Sequence, residues 1–298
     1  MVAPRVAVGE SLTSSPVSVR GNESLAAAPV TFEAAAQVTI EAAAQVTFEA
    51  AAQVTLETKC WEGDWRYLLK RGGLERLVAS EPFPFAQRVL YVNNVDRPAQ
   101  VLAAANRLVN RGIIDEVVLA SDHAGAVLER LALTRDDLGK GYVYSICELV
   151  GVHLARTPYL VHFAGDCLMV DRGPWIEHGL ALLTERPEVA VVNPVWNRRY
   201  GEVRDGATAT DERWWYGEGF SDQCYLVRPA DFDQPIYGFT HPDSQRYPQY
   251  GGELFEKRVD SWMRHTGRIR AFHQTTSYSH DSSRAMTNWQ RARRRLAR

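Results

Sequence analysis

From residue 54 onwards, short apolar segments typical of strands alternate with longer segments whose apolar residues recur at helical spacing. The strand-like segments are 54–60, 87–93, 115–120, 159–163 and 189–193. The helix-like segments are 64–78, which Gly72 and Gly73 interrupt, and 98–109, 124–133, 145–155 and 175–183. Successive strand–helix units build a parallel or mixed sheet with helices on both faces. The sequence therefore predicts an α/β fold with a mixed, mostly parallel sheet.

Polar residues, several of them carboxylates, follow the predicted strands where each one ends. The strand-end segments are 58–64, 93–96, 121–123 and 164–167. Ligands of such sheets bind beyond the carboxyl ends of the strands, so we expect these residues to line a site. A site of carboxylates and amides without a glycine cradle needs a metal ion to neutralise a pyrophosphate.

Motifs that are missing exclude several enzyme classes. No G-x-G-x-x-G or G-x-x-x-x-G-K-[ST] follows a strand, which argues against a dinucleotide dehydrogenase and a P-loop ATPase. G-x-S-x-G and H-E-x-x-H are also absent, which weakens a hydrolase or metalloprotease interpretation.

Composition bears on partners and location. With a net charge of −2 over 298 residues, the chain gives no reason to expect a nucleic-acid partner. The four cysteines are far apart and form no C-x-x-C pair, which fits a reducing cytoplasm. No apolar run approaches the roughly 18 residues of a membrane span, and the N-terminus lacks a signal-peptide pattern. We therefore predict a cytoplasmic protein without a transmembrane segment.

The N-terminal part differs in character from the rest. Residues 1–29 are rich in Ser, Val, Gly and Pro and predict a flexible tail. An octapeptide, VTFEAAAQ or VTIEAAAQ, then repeats from Val30, Val38 and Val46, and a truncated copy begins the first strand at Val54. Eight residues leave an offset of roughly 80° on a helix, so no single apolar stripe forms. Residues 30–53 are therefore predicted to be a repetitive extension that is either a marginal helix or disordered. The repeats arise by tandem expansion of the start of the first strand, or they serve as a partner-binding arm.

Four longer segments carry a resemblance to a known family. SICELVGVHLARTPYLVHFAGDCLMV resembles the helix, turn and strand that lead into the metal-binding D-x-D segment of GT-A glycosyltransferases, particularly family-2-like members. WIEHGLALLTERPEVAVVNPVW is similar to the helix and strand that follow, and GFSDQCYLVRPADF to the acceptor-side strand and loop. GGELFEKRVDSWMRHTG looks like the family's segment of an E-D pair, a helix and a glycine. The resemblance implies a GT-A (Rossmann-like) domain over residues 54–280.

The resemblance also implies roles for particular residues. Asp166 occupies the last position of the D-x-D segment and would contact the metal and the pyrophosphate, although Ala164 and Gly165 precede it. Glu253 stands in the E-D pair, whose second position is leucine here, and would be the general base. His280 matches a late histidine ligand of the metal, with His273 as the other candidate.

Further candidates belong to the two substrates. The candidates for nucleotide or donor binding are Thr58, Lys59, Asn94, Asp96, Asp122 and Asp166, of which several could equally cap turns or lie on the surface. The candidates for acceptor binding, in or beside the 211–223 loop, are Trp214, Trp215, Tyr216 and Asp222; the three aromatic residues could instead close the core. Asp243 is a rival general base. The basic segment 281–298 could contact phosphates or an anionic membrane, or form a solvated helix.

Three functions remain open from the sequence. The first is a glycosyltransferase that uses a nucleoside diphosphate sugar, a divalent metal (Mn²⁺ or Mg²⁺) and inversion, with an acceptor that the sequence does not identify. The second is a catalytically degenerate sugar-nucleotide-binding protein, because Ala164 and Gly165 replace the usual acid. The third is a sugar-phosphate nucleotidyltransferase, which usually carries a glycine-rich basic loop after its first strand, unlike KCWEGDW here.

Overall fold

The alternation along the chain produces one ten-stranded sheet with helices packed against it. The computed structural model describes residues 53–248 and 252–281. The strands are β1 (Val54–Cys60), β2 (Gln87–Val92), β3 (Glu116–Leu119), β4 (Tyr159–Phe163), β5 (Cys167–Asp171), β6 (Val189–Trp196), β7 (Ala209–Thr210), β8 (Trp214–Gly217), β9 (Cys224–Val227) and β10 (Ile269–His280).

Ten α-helices lie within the described residues. They are α1 (Trp65–Lys70), α2 (Gly73–Ser80), α3 (Pro98–Val109), α4 (Ala124–Arg130), α5 (Arg135–Leu138), α6 (Tyr142–Leu154), α7 (Trp175–Glu185), α8 (Tyr200–Asp205), α9 (Pro229–Phe232) and α10 (Phe255–Thr266). Short 3₁₀ turns cover Ala120–Asp122, Gly139–Gly141 and Pro242–Arg246. None of the described helices is both long and apolar enough to cross a membrane. The predicted tail 1–29, nearly all of the repeat extension 30–53 and the basic segment after Asp281 lie outside the described residues.

The strand directions confirm a mixed sheet that is mostly parallel. The path through the sheet is β3-β2-β1-β4-β9-β6-β10-β8-β7, with β5 also paired to β10. Strands β1 to β4 run parallel to one another, and β6 is parallel to β10. Only β5, β8 and β9 among the ten described strands run against this direction. The inserted antiparallel strand β9 thus separates the parallel block from β6 and β10.

Helices cover both faces of the sheet, as the sequence predicted. Successive residues of a strand point to opposite faces, and β2 shows the result. Val89 and Tyr91 join a core cluster with residues of α6 and α10. Leu90 and Val92 join another cluster with residues of α1, α2 and α3. The apolar run of β2 is therefore buried on both sides.

The predicted helix 64–78 is two helices in the structure. Gly72 adopts φ +69° between α1 and α2, a left-handed conformation that L-residues with side chains rarely adopt. The predicted interruption at the glycine pair is thus confirmed. Helix α3 spans Pro98–Val109 as predicted, with proline in its first turn.

A layer of buried polar side chains lies between β1 and α6. Glu57 of β1 and His162 of β4 are both about 2% exposed, and Glu57 Oε1 lies 2.9 Å from His162 Nδ1. Lys59 forms an ion pair with Glu148 of α6, whose side chain is fully buried. Gly151 of α6 makes room for Glu57, because a Cβ at residue 151 would lie 2.1 Å from Glu57 Oε2.

We expect Gly151→Ala to lower the free energy of unfolding by about 1–3 kcal/mol, because the added methyl group overpacks the site that the buried Glu57 carboxyl group occupies. Gly125→Ala is the matched control. Gly125 also lies in a helix, but no atom stands within 4 Å of a Cβ there, so that change should stabilise the protein by up to about 1 kcal/mol. Urea denaturation measures both, and equal effects of the two variants would contradict the packing assigned to Gly151.

Candidate functional site

Strand directions bring the polar strand ends to one edge of the sheet. Strands β1, β2 and β4 end at this edge, and β9, which is antiparallel to β4, begins there with Cys224 opposite Phe163. Strand β5 begins at the same edge, where Cys167 pairs with His280 at the end of β10. Asp166, Asp222 and His280, which are distant in sequence, therefore lie along one edge.

A cavity of about 580 Å³ opens at this edge. Its lining comes from the ends of β1, β2 and β4, the start of α6 and the residues before β9: Lys59, Cys60, Trp61, Glu62, Asp64, Asn93, Asn94, Val143, Tyr144, Ala164, Gly165, Asp166 and Asp222. Four residues that the sequence singled out are among them, namely Lys59, Asn94, Asp166 and Asp222.

Asp64 and Asp166 bring two carboxyl groups to the cavity from different strands. Gly165 permits their approach, because a Cβ at residue 165 would lie 3.0 Å from the Lys59 carbonyl oxygen and 3.4 Å from Asp64 Oδ2. Burial raises the pKa of Asp64 to about 7, and the negative charge of Asp166 adds to the shift. The Trp61 backbone N–H donates to Asp64 Oδ1 at 2.8 Å, which fixes the carboxyl group in the turn after β1.

Asp64 is not among the predicted site residues, although its segment is one of the polar strand ends. Because Ala164 stands where the D-x-D segment has its first acid, the sequence indicates that a second carboxylate must come from elsewhere. The neighbouring strand end KCWEGDW contains such a carboxylate, Asp64.

Asp166 and His280 form a second pair at the cavity. His280 Nε2 lies 3.2 Å from Asp166 Oδ2, and both side chains are partly exposed. A carboxylate and an imidazole suit Mn²⁺, which accepts oxygen and nitrogen ligands. Within residues 53–248 and 252–281, no group of three His, Cys, Asp or Glu side chains is arranged to hold a metal. A metal here would therefore have two protein ligands and take the others from a bound ligand or water.

Exposed aromatic side chains flank the carboxylates. Trp61 is 56% exposed and Tyr144 is 54% exposed, and both line the cavity together with the exposed Val143. The Trp61 indole occupies the space beside Gly63, where a Cβ would lie 2.4 Å from the ring. Large exposed apolar groups that gather at one cavity are typical of a binding surface for a planar ligand. Trp61 and Tyr144 are not among the residues predicted from the sequence, because the exposure of a side chain cannot be derived from a strand-end pattern.

Amides and an ion pair hold the wall of the cavity in place. Asn94, at φ +47°, donates its side-chain N–H to the Val143 carbonyl oxygen, and Asn93 Nδ2 donates to the same oxygen at 3.2 Å. The Lys59 ammonium pairs with the buried Glu148. The end of β2 and the end of β1 are thus both fastened to α6.

The other predicted nucleotide ligands lie outside the cavity lining. Thr58 is 3% exposed within β1, and its hydroxyl has no hydrogen-bond partner among the described residues. Asp96 is exposed, and its backbone N–H donates to Glu62 Oε2 at 3.1 Å. Asp122 is exposed in the 3₁₀ turn after β3. These residues share the edge of the sheet with the cavity but do not line it.

The aromatic residues 214–216, predicted to lie in or beside a loop, are part of a strand. Trp214, Trp215 and Tyr216 belong to strand β8, which pairs with β10. Trp214 and Tyr216 are each 4% exposed in the core, and Trp215 packs edge-on against Tyr200. Alternating burial on a pleated strand explains the cluster and fits the alternative that these residues close the core.

The structure also changes the ranking of the candidate bases. Glu253 pairs with Lys257 Nζ at 2.8 Å and with Arg258 Nε at 2.9 Å, and it does not line the cavity. Glu256, one helical turn further, accepts a hydrogen bond from the backbone N–H of Asp222. Burial raises the pKa of Glu256 to about 8, and the charge of Asp222 adds to the shift. Asp222, which lines the cavity, thus forms a carboxyl pair with Glu256, and Glu253 is not part of this pair.

Two minor candidates are also placed elsewhere. His273 is 3% exposed and lies in the core, where its Nε2 stands 3.0 Å from His178 Nδ1. Burial lowers the pKa of His273 to about 4, and the neighbouring His178 contributes to the shift. Asp243 pairs with Arg264 at 3.0 Å and lines a different cavity.

The pair beneath the cavity makes stability depend on pH. Burial raises the pKa of Glu57 to about 8 in the folded protein and lowers that of His162 well below its ordinary value. Glu57 therefore keeps its proton on folding at pH 5–7.5, whereas the unfolded chain loses it. Because the folded state then binds more protons than the unfolded state, the contribution of Glu57 to stability falls as the pH rises.

We expect wild type to lose stability relative to Glu57→Gln by about 1.4 kcal/mol per pH unit between pH 5 and 7.5, because glutamine keeps the neutral form at every pH. Urea denaturation across this range gives the difference. Glu202→Gln, at an exposed position, is the control for the chemical change alone. Stability curves of wild type and Glu57→Gln that stay parallel would show that Glu57 is ionised in the folded protein.

No protein-family model matches the sequence, and no curated protein matches it significantly. Solved structures are similar at low identity. The structure of GalNAc-T7 with UDP, GalNAc and Mn²⁺ is similar over 76% of this chain and 43% of that one, at 10% identity and a TM-score of 0.47. This chain therefore spans less than half of the GalNAc-T7 chain.

Two further structures show comparable similarity. Glucosyl-3-phosphoglycerate synthase from Mycobacterium tuberculosis, with Mn²⁺, UDP and glucosyl-3-phosphoglycerate, is similar over 70% of this chain and 66% of that one, at 11% identity and a TM-score of 0.38. UDP-glucose pyrophosphorylase with UDP-glucose is similar over 74% and 90%, at 11% identity and a TM-score of 0.41. Because each TM-score lies below 0.5, these likenesses carry no weight in the proposal that follows.

Proposed function

We propose that residues 54–280 form a GT-A-type glycosyltransferase domain that binds a nucleoside diphosphate sugar in the cavity at the carboxyl edge of the sheet. One observation carries the proposal. The carboxyl groups of Asp64, Asp166 and Asp222 and the exposed rings of Trp61 and Tyr144 line the same cavity. Such a lining suits a ligand with a planar base and a metal-bound pyrophosphate, which is the chemistry of a sugar nucleotide.

The nucleotide would use the aromatic part of the cavity. Trp61 and Tyr144 offer ring faces on which a base can stack, a contact worth about 1–3 kcal/mol for bases bound to aromatic side chains. Lys59 and Asn94 line the same wall and already bond to α6, so they would shape the pocket around the nucleotide.

Asp166 and His280 would hold the divalent metal, with donor phosphate oxygens among its remaining ligands. When bound, the metal supplies positive charge that stabilises the departing nucleoside diphosphate. Asp64 would stand beside Asp166 and line the cavity next to the two metal ligands. Its raised pKa means that the cavity without a cation disfavours a second negative charge next to Asp166.

For the base, we propose the Asp222–Glu256 pair in place of Glu253. Asp222 is the member that lines the cavity, so its carboxylate would accept the proton of the attacking hydroxyl. Glu256 would keep Asp222 in position by accepting a hydrogen bond from its backbone N–H. Transfer from the face opposite the departing diphosphate inverts the anomeric centre in a single displacement. The acceptor is an unidentified nucleophile.

We expect nucleoside diphosphates and their sugars to raise the melting temperature, with a larger rise in Mn²⁺ than in EDTA, because a ligand that binds only the folded state stabilises it. Asp166→Asn should abolish the metal-dependent part of the rise. Asp122→Asn, at the same edge but outside the cavity lining, is the matched control and should keep it. A rise that EDTA does not change would remove the metal and His280 from the proposal.

We expect Asp222→Asn to slow the release of nucleotide from the matching sugar nucleotide by about 10²–10⁴-fold, the usual contribution of a general base. Glu256→Gln should slow it less, and Glu253→Gln should leave most of the rate. Thermal shifts with the nucleotide verify that each variant still binds the donor. Nucleotide binding by wild type without any turnover would favour the degenerate binding protein. Loss of rate only in Glu253→Gln would identify Glu253 as the general base, as predicted from the sequence.

A further inference from the structure

A second cavity, of about 640 Å³, lies away from the candidate donor site and shares no lining residue with it. Its lining is Gly206, Thr208, Glu218, Pro242, Asp243, Arg246, Arg264 and Arg270. Arg270 is the second residue of β10, whereas His280 at the donor cavity is its last residue. The two cavities therefore lie at opposite ends of the same strand.

Arg270 brings a positive charge into this cavity without a counter-ion of its own. Among the described residues, its buried Nε has no hydrogen-bond partner, and no carboxylate forms an ion pair with it. The guanidinium stacks at 4.3 Å over the ring of Phe272. Stacking uses the face of the guanidinium and leaves its N–H groups to an acceptor in the plane. Burial lowers the pKa of Arg270 to about 10, which reflects the cost of the unneutralised charge.

Two more arginines share a single buried carboxylate beside Arg270. Asp260 has a fully buried side chain and pairs with Arg246 Nη2 at 2.9 Å and with Arg264 Nε at 3.2 Å. Ser244 donates its hydroxyl to the same carboxylate. Asp260 therefore neutralises at most one of three neighbouring guanidinium groups.

The remaining carboxylates of the cavity are on its rim. Glu218 is 55% exposed and Asp243 is 63% exposed, and both pair with Arg264. Exposed carboxylates are screened by water and contribute little to neutralising a buried charge. The inner part of the cavity thus keeps an excess of positive charge around Arg246 and Arg270.

Gly219 gives two of the arginines room. Gly217 stands opposite Arg270 in the β8–β10 ladder. Gly219 adopts φ +100°, and a Cβ there would lie 2.7 Å from Arg246 Nη2. A side chain at residue 219 would fill the space that the guanidinium groups occupy, whereas a Cβ at residue 217 would have no guanidinium atom within 4 Å.

We infer that the cavity lined by Arg246, Arg264 and Arg270 is a binding site for a small oxyanion, a phosphomonoester or a carboxylate, with Arg270 as its main contact. Guanidinium groups bind both anions through paired N–H···O bonds. The cavity is open and large enough for a small molecule that carries such a group. This site does not depend on the proposed glycosyl transfer.

The test is a titration of the full chain with inorganic phosphate and, separately, with acetate, in EDTA and at constant ionic strength. Wild type should show a melting temperature raised by about 2 °C or more at millimolar phosphate, and calorimetry should give a saturable isotherm. A response to phosphate alone identifies a phosphomonoester site, and an equal response to acetate identifies a carboxylate site. No saturable response of wild type to either anion overturns the proposal.

Arg270→Met separates this site from general salt effects. Without ligand, its melting temperature should be no lower than that of wild type, because an unpaired buried charge is removed. Its response to the anion should be lost. Arg111→Met, which removes an exposed arginine paired with Glu75, is the matched control and should keep the response.

Asp166→Asn tests whether the anion binds the donor cavity instead. Because we expect binding at Arg270, this variant should show the same rise in melting temperature with the anion as wild type. An Arg270→Met protein that responds like wild type would falsify the assignment. Should Arg270→Met not fold, Arg270→Gln replaces it, and the wild-type titration decides in either case.

Discussion

The candidate site depends above all on the antiparallel pairing of β9 between β4 and β6. Because β9 runs against its neighbours, its first residues meet the last residues of β4. The Ala164 N–H donates to the Gln223 carbonyl oxygen at 2.7 Å, and Asn193 Nδ2 donates to the Cys224 carbonyl oxygen at the same distance. These bonds place the turn that contains Asp166 next to the turn that contains Asp222. A parallel β9 would carry Asp222 to the other edge of the sheet.

The buried polar layer under the cavity depends on this pairing as well. Glu57 and His162 are opposite each other on β1 and β4, and Tyr225 of β9 stacks on the His162 ring at 4.7 Å. Burying charges costs several kcal/mol per ion, and the shifted pKa values indicate that this pair is buried in neutral form. Lys59 and Glu148 form an ion pair beside it. The layer therefore fixes the orientation of α6 against β1 by a few specific contacts. Apolar packing alone would not fix this orientation.

The sequence predicted the strand–helix order and the edge where the site lies, because apolar periodicity is a local property. It could not rank the carboxylates along that edge, since the ranking depends on which side chains are paired. Glu253 has the position that a motif would assign, but Lys257 and Arg258 already neutralise it. Asp64 matches no motif, yet the turn at Trp61 carries it to Asp166. The aromatic run 214–216 was ambiguous because strand burial and ligand stacking use the same residues.

Helix α10 connects the candidate donor cavity with the arginine-lined cavity. Glu256, Asp260 and Arg264 follow at intervals of four residues and so lie along one face of the helix. Glu256 contacts Asp222 at the donor cavity, whereas Asp260 and Arg264 belong to the arginine cluster of the other cavity. At 1.5 Å per residue, the rise from residue 256 to residue 264 is about 12 Å. A single rigid element thus sets the distance between the carboxyl pair and the arginine cluster, and a shift of α10 would move both together.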